Sequence, residues 1–236
     1  MLFRSASLSL LLSCQQLHTP ETLPWPVRKS ASWQHNATDA CVADYDPTHD
    51  YFPDKARLSW STQLQVEYGR HWKRLRFTPG VNTGETLDFV LVQCGTPIPE
   101  EIGNAVVIEI PVRRLATAHP SMLGAIERIG MVDRLVGVPN LESLITPVLK
   151  VRAKEGAIKA IYGYGHVTIE PVLALSPQVY LSFYSAYPDA NLHRTLWTLG
   201  VKALPWADHM ESHPLGRAEW MLWLALLFNA EAQAGW

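Results

Sequence analysis

The sequence predicts an α/β chain: an N-terminal lobe with a mostly parallel sheet flanked by helices, preceded by a β-hairpin region and followed by a long helix. Three observations predict it. Residues 166–185 place Ile169, Val172, Leu173 and Leu175 at helical spacing, then a Ser176-Pro177 stop, then a β-branched and aromatic strand. The same alternation of short helices with short strands recurs on both sides, implying right-handed crossovers and a sheet buried on both faces. Residues 41–95 alternate with period two instead.

A chain of 236 residues, 47% hydrophobic, can bury a real core and holds one domain or a domain and a half. Lys+Arg 20 against Asp+Glu 22 leaves no clustered basic surface for nucleic acid. The basic run at residues 70–76 alternates with apolar side chains and reads as the solvated face of a strand.

Residues 1–14 have a signal-peptide layout: one cation at Arg4, an apolar segment with Leu8, Leu10, Leu11 and Leu12, and a small residue before Cys14. The segment is too short to span a bilayer. Leu11-Leu12-Ser13-Cys14 resembles a bacterial lipobox, in which the cysteine is lipidated and becomes the first residue of the mature protein. The alternatives are an ordinary secretory leader or a misplaced start codon. Export puts the rest of the chain in the periplasm or at the cell surface, lipid-anchored to the membrane through Cys14 on the lipobox reading. Cys41 and Cys94 then remain as a pair in an oxidising compartment, and a disulfide between them is expected, with two free buried thiols as the alternative. No Cys-x-x-Cys spacing occurs, and no metal site or cofactor is expected.

In chain order, residues 15–40 carry three prolines and no apolar periodicity, and read as a flexible linker. Trp25 and Trp33 have no role in that reading, and Asn36-Ala37-Thr38 matches a glycosylation pattern by chance. In the β-rich segment 41–105, residues 50–55 read as an aspartate-proline turn with a surface ion pair, the alternative being that Asp50, Asp54 and Lys55 hold a ligand. Leu64, Val66 and Tyr68 begin a hairpin, Gly69-Arg70-His71 turns it, and Trp72, Leu75 and Phe77 return. Residues 87–94 form a third strand. The α/β lobe 106–212 has strands at 106–110, 112–115, 135–138, 158–162 and 201–204, and helices at 120–129, 141–150 and 190–199, with Gly130 and Gly200 as stops. From 213 to the end, the helix at 214–234 would be about 30 Å long. Its residues 220–228 are apolar all round, too few to cross a bilayer, so the helix wants burial on every side.

These residues together resemble the substrate-binding proteins of ABC importers for iron-siderophores, haem or cobalamin, over about residues 44–234. The telling pieces are Arg113-Arg114-Leu115-Ala116-Thr117, Leu135-Val136-Gly137-Val138, the stretch 169–177 with its following strand, and Pro214-Leu215-Gly216-Arg217-Ala218-Glu219-Trp220. The third piece is similar to the family's asparagine-leucine-glutamate, then alanine-leucine-lysine-proline-aspartate pattern, with Thr168, Ser176 and Gln178 as departures. The resemblance implies two lobes joined by a rigid inter-lobe helix at 213–236, a ligand in the cleft between them, and an ABC permease as partner. It also implies that the second lobe is missing, the chain being truncated after that helix or else working as a single lobe. Residues 220–228 would then lack part of their cover, and the isolated chain would self-associate.

In an open parallel sheet, ligands meet the loops beyond the carboxyl ends of the strands. Those loops offer Thr117, His119, Tyr164, His166, Tyr184 and Trp206, with His209 beside them, a set suited to a large flat ligand such as an iron-siderophore, haem or cobalamin. For Tyr164, Tyr184 and Trp206 the alternative is that they plug the lobe's own core. Glu170 matches the glutamate with which the family docks into permease arginines, or else favours a helix N-terminus. Arg217 and Glu219 would bridge to the neighbouring lobe or form a surface pair. No Gly-x-Ser-x-Gly, His-Glu-x-x-His or phosphate-loop motif is present, so the expectation is a binding protein, not an enzyme. The alternatives are a non-transporting lipoprotein remnant or an exported hydrolase.

Overall fold

The computed structural model describes residues 25–80, 84–163, 166–167, 169–187 and 191–235. The expected lipidation at Cys14 and the expected contacts of Tyr164 lie outside the described residues, and for His166 only the backbone is described.

β1 (Val27–Lys29) and β2 (Cys41–Asp44) pair in parallel. β3 (Leu64–Tyr68), β4 (Trp72–Phe77) and β5 (Leu87–Gln93) form an antiparallel meander, with Leu64 opposite Phe77 and Trp72 opposite Val92. β6 (Val106–Ile110) joins β5 in parallel, giving the order β3-β4-β5-β6. The expected boundary at 105/106 therefore runs through this sheet. The apolar run of β6 reads equally well as a strand of either sheet, and only its pairing assigns it.

The second half alternates strands with helices: β7 (Leu115–Thr117), α1 (Leu123–Arg128), β8 (Leu135–Val138), α2 (Pro147–Lys154), β9 (Lys159–Ala160), a short antiparallel pair of β10 (Tyr162–Gly163) and β11 (His166–Val167), α3 (Ile169–Leu175), β12 (Val179–Phe183), α4 (His193–Thr198) and β13 (Ala203–Trp206); the strand read at 112–115 starts only at Leu115, and the one read at 158–162 is divided between β9 and β10. The helix read at 141–150 begins later because Pro147, with φ preset and no N–H to lose, takes its first turn. Five strands form one parallel sheet in the order β13-β12-β7-β8-β9. One face, with Leu115, Leu135, Leu181 and Leu204, shares the main core with α1, α2 and the meander sheet. The other, with Ala116, Tyr180 and Ala203, packs on Val172 of α3 and Leu196 of α4. Gly137 in β8 lets α3 approach closely, since a Cβ there would stand 2.4 Å from the Leu175 side chain.

The chain ends in α5 (Pro214–Leu226) and α6 (Glu231–Ala234). The single rod expected at 214–234 is thus a 13-residue helix, about 20 Å at the usual rise, followed by a break. Asn229, at φ 58, makes the break: asparagine tolerates the left-handed region, and three buried hydrogen bonds hold it there. Its Nδ2 donates to Ala37 O and Gln93 Oε1, each at 2.8 Å, while its Oδ1 accepts from Lys73 Nζ at 2.8 Å. Trp220, Trp223 and residues 224–228 are fully buried, Trp220 against Phe77 and Trp206 at 5.5 and 5.4 Å between ring centroids. The uncovered flank that would have driven self-association does not exist, because the chain's own two sheets and α1 cover the helix. Among the described residues no helix is long and apolar enough to cross a membrane.

Two further expectations change. From residue 25 the linker is packed: Trp25 lies between the guanidinium groups of Arg113 and Arg134, at 4.5 and 4.4 Å, and buried Trp33 donates its indole N–H to Tyr51 O at 3.0 Å. Cys41 and Cys94 are joined in a disulfide that ties this strap to the end of β5. In β4 the basic run is split by the pleat. Arg74 pairs with Asp88 near solvent, whereas Lys73 lies on the inward face with Leu75 and Phe77 and is completely buried.

Candidate functional site

The order β13-β12-β7-β8-β9 contains a topological switch. From β7 the chain moves outward to β8 and β9, then returns to the other side of β7 as β12 and continues to β13. The loops leaving the carboxyl ends of β7 and β12 therefore diverge to opposite faces, and open α/β sheets bind ligands in that crevice.

Phe183, the last residue of β12, stands 41% exposed there. Its ring stacks on the His209 imidazole at 4.7 Å and 12°, and the His119 ring lies 5.6 Å away, tilted by 35°. Burial lowers the His209 pKa, with Arg217 and His119 adding to the effect and Asp208 opposing it, so the imidazole is neutral near pH 7.

Beside this aromatic platform is a recess of about 200 Å³ lined by His119, Tyr162, Tyr180, Ser182 and Phe183 among others. The Tyr162 hydroxyl donates to Ala118 O. The buried hydroxyls of Tyr180 and Ser182 have no hydrogen-bond partner among the described residues. Burial raises the Tyr180 phenol, with Tyr162 adding to it, so it stays protonated.

The residues expected at the site separate into two groups. Thr117 and His119 lie at the crevice, but Thr117 is buried and builds the turn, donating to His119 O at 2.9 Å and accepting from His119 N at 3.3 Å. His119 presents its ring at the rim while Nδ1 accepts from Ser121 N at 3.3 Å, capping the next turn. Tyr184 and Trp206 turn inward instead. Tyr184 donates to Glu85 Oε2 at 2.9 Å and packs edge-on against Phe77 at 5.0 Å; Trp206 packs on Trp220 and floors a separate hollow of about 380 Å³ between α1 and α5. Strand alternation places Trp206 on the same face as Leu204, whereas Tyr184, one residue past the end of β12, breaks the alternation and turns to Phe77 and Glu85 in the main core.

Tyr162, Tyr180 and Ser182 were not expected here. A serine two residues from a tyrosine in an otherwise apolar strand was the available signal: both side chains share one face. Glu170 is exposed on the first turn of α3. Arg114 Nη2 donates to Leu175 O at 2.6 Å, so α3 ends at the amino edge of the sheet and begins at the carboxyl edge, where the crevice lies. Glu219 is neither a bridge nor a surface pair. It is buried and accepts backbone N–H groups of Ser59, Trp60 and Ser61 at 2.6, 2.9 and 2.7 Å, while Arg217 donates to Glu211 O. Among the described residues no group of three or more histidine, cysteine or acidic side chains could hold a metal ion.

Comparison with known proteins finds no family model that matches. An uncharacterized lipoprotein of Methanocaldococcus jannaschii is 25% identical over 178 residues, 70% of this chain and 42% of that protein. Among solved structures, a periplasmic binding protein from Veillonella parvula aligns with 66% of this chain and 47% of its own, at a TM-score of 0.46 and 12% identity. The heme binding protein HmuT aligns with 89% of this chain and 50% of its own, at 0.44 and 14%. The periplasmic heme binding protein HutB of Vibrio cholerae aligns with 51% and 43%, at 0.40 and 20%. The chain spans about half the length of these proteins or less.

Proposed function

We propose that this chain is a solute-binding component of an ABC import system, held at the periplasmic or outer cell face by a lipid on Cys14. It captures a large flat metal complex of the haem, cobalamin or iron-siderophore kind and passes it to a membrane permease. The observation that carries this reading is the stack of His119, Phe183 and His209 at the switch between β7 and β12. A partly exposed ring stacked on one imidazole and beside another offers aromatic surface to a planar ligand and polar edges to its rim. His209, neutral near pH 7, keeps a nitrogen lone pair available to a metal centre. Glu170 begins α3 at the same sheet edge and docks to a permease arginine through a charge-assisted pair. The chain binds its ligand without transforming it. Absorbance titration with hemin, cobalamin and a ferric catecholate siderophore tests the reading: a saturable spectral change with one of them supports it, and none with any rejects it.

A further inference from the structure

We infer that the recess beside Phe183 receives a neutral carboxamide arm of the ligand, with Tyr180 and Ser182 as the residues that select it. The inference rests on the proposed solute-binding reading of this site. Tyr180 and Ser182 are two positions apart on β12, so their side chains share one face of the sheet, the face covered by α3 and α4. Each is less than a twentieth exposed, and each hydroxyl is buried without a partner among the described residues. Folded proteins leave few buried hydroxyls unpaired, so two on one recess mark a place for a polar guest.

The guest's size follows from the volume. About 200 Å³ is too small for a macrocycle or a drug-sized ligand, for which pockets start at roughly 300 Å³. It is the liquid volume of about six or seven waters, enough for a side arm.

The guest's charge follows from the walls. No lysine or arginine is among the described residues that line the recess, and the one basic side chain there, His119, stands at the rim with Nδ1 turned to Ser121 N. A carboxylate would lose water there without a counter-charge, which is costly for an ion and far less so for a neutral amide. A carboxamide also matches the donors and acceptors present. Its carbonyl accepts from the two hydroxyls, and its NH2 donates to Ala118 O, which already receives the Tyr162 hydroxyl and has a second lone pair.

The test uses the whole chain labelled with ¹³C-tyrosine, the Tyr180 resonance being assigned by its loss in Tyr180→Phe. Propionamide, propionate and buffer are titrated separately. The expected result is a saturable shift of the Tyr180 resonance with propionamide, weakened about fivefold in Ser182→Ala through loss of one hydrogen bond, with no shift from propionate. An equal or larger response to propionate overturns the inference, as does no response to either, which would mean that the recess holds water alone. Hemin, cobalamin and siderophore binding is measured on the same sample. Loss of those with a retained propionamide response strikes the solute-binding reading and leaves the recess chemistry standing, whereas the converse strikes the recess alone.

Discussion

Lys73 and Glu231 form an ion pair, Nζ to Oε1 at 2.5 Å, with side chains 0% and 2% exposed, joining the meander sheet to the last helix. Tyr68 and Asn36 also donate to Glu231, at 3.3 and 2.8 Å, and Lys73 donates to Leu226 O at 3.1 Å and lies 4.5 Å from the Phe52 ring centroid. Burial pulls the Lys73 pKa down while Glu231 holds it up. Glu231→Gln strands a buried ammonium and is expected to cost about 3–5 kcal/mol, whereas Lys73→Met with Glu231→Leu recovers most of that loss. Urea denaturation of the three proteins checks it; equal losses in the single and double variants would contradict the pairing.

The Cys41–Cys94 disulfide closes a sequence separation of 53. On chain-entropy grounds its removal costs about 4 kcal/mol. The double alanine variant should lose that much in denaturant, and the strap should become a site of limited proteolysis near Trp33. Unchanged proteolysis would show that Trp33 and the β1–β2 pairing hold the strap unaided.

Trp25 between Arg113 and Arg134 anchors the strap at the amino edge of the parallel sheet, opposite the crevice. Two partly exposed cation–π contacts contribute about 1–2 kcal/mol together. Trp25→Ala should lower the unfolding free energy by that amount and leave ligand affinity within about twofold, measured by calorimetry and by titration. A larger loss of affinity would mean that the two edges are coupled.

Stability should fall as the solution is acidified from about pH 7 to about pH 5.5. Burial lowers the pKa of His71, His193 and His209, so each is neutral in the folded chain at pH values where the unfolded chain protonates it. The unfolded state then binds more protons below about pH 6.5, and the unfolding free energy rises with pH across that window. Glu85 acts lower on the scale. Burial raises its pKa, but hydrogen bonds from Tyr184 and Arg194 outweigh this, so its contribution is lost as pH falls below the ordinary glutamate value. Urea midpoints at the two pH values check the sign, and a flat profile would contradict it. His193→Phe should reduce the slope.

Periodicity carried most of the fold. The helix 169–175, the Ser176-Pro177 stop and the strand after them are where apolar spacing put them, because local sequence alone decides such elements. What depended on distant contacts was not legible. Lys73 reads as a solvent-facing cation until Glu231 and Asn229 are brought to it from the far end of the chain, and Asn229 reads as helix until its side chain finds Ala37 and Gln93. Trp25 had no meaning before two arginines from successive loops closed on it. At the site, the crevice loops were legible from strand ends, but the partition that buries Tyr184 and leaves Phe183 exposed is set by which neighbour each side chain meets.

The central claim, that the carboxyl edge of the parallel sheet holds a planar ligand on Phe183, is tested most directly by absorbance titration of the chain and of Phe183→Ala with hemin, cobalamin and a ferric catecholate siderophore. The account predicts saturable binding of at least one by the unaltered chain, weakened about tenfold by removal of the ring, as base-like stacking energies of roughly 1–3 kcal/mol imply. Binding that is indifferent to the loss of the ring, or no binding of any of the three, would contradict it.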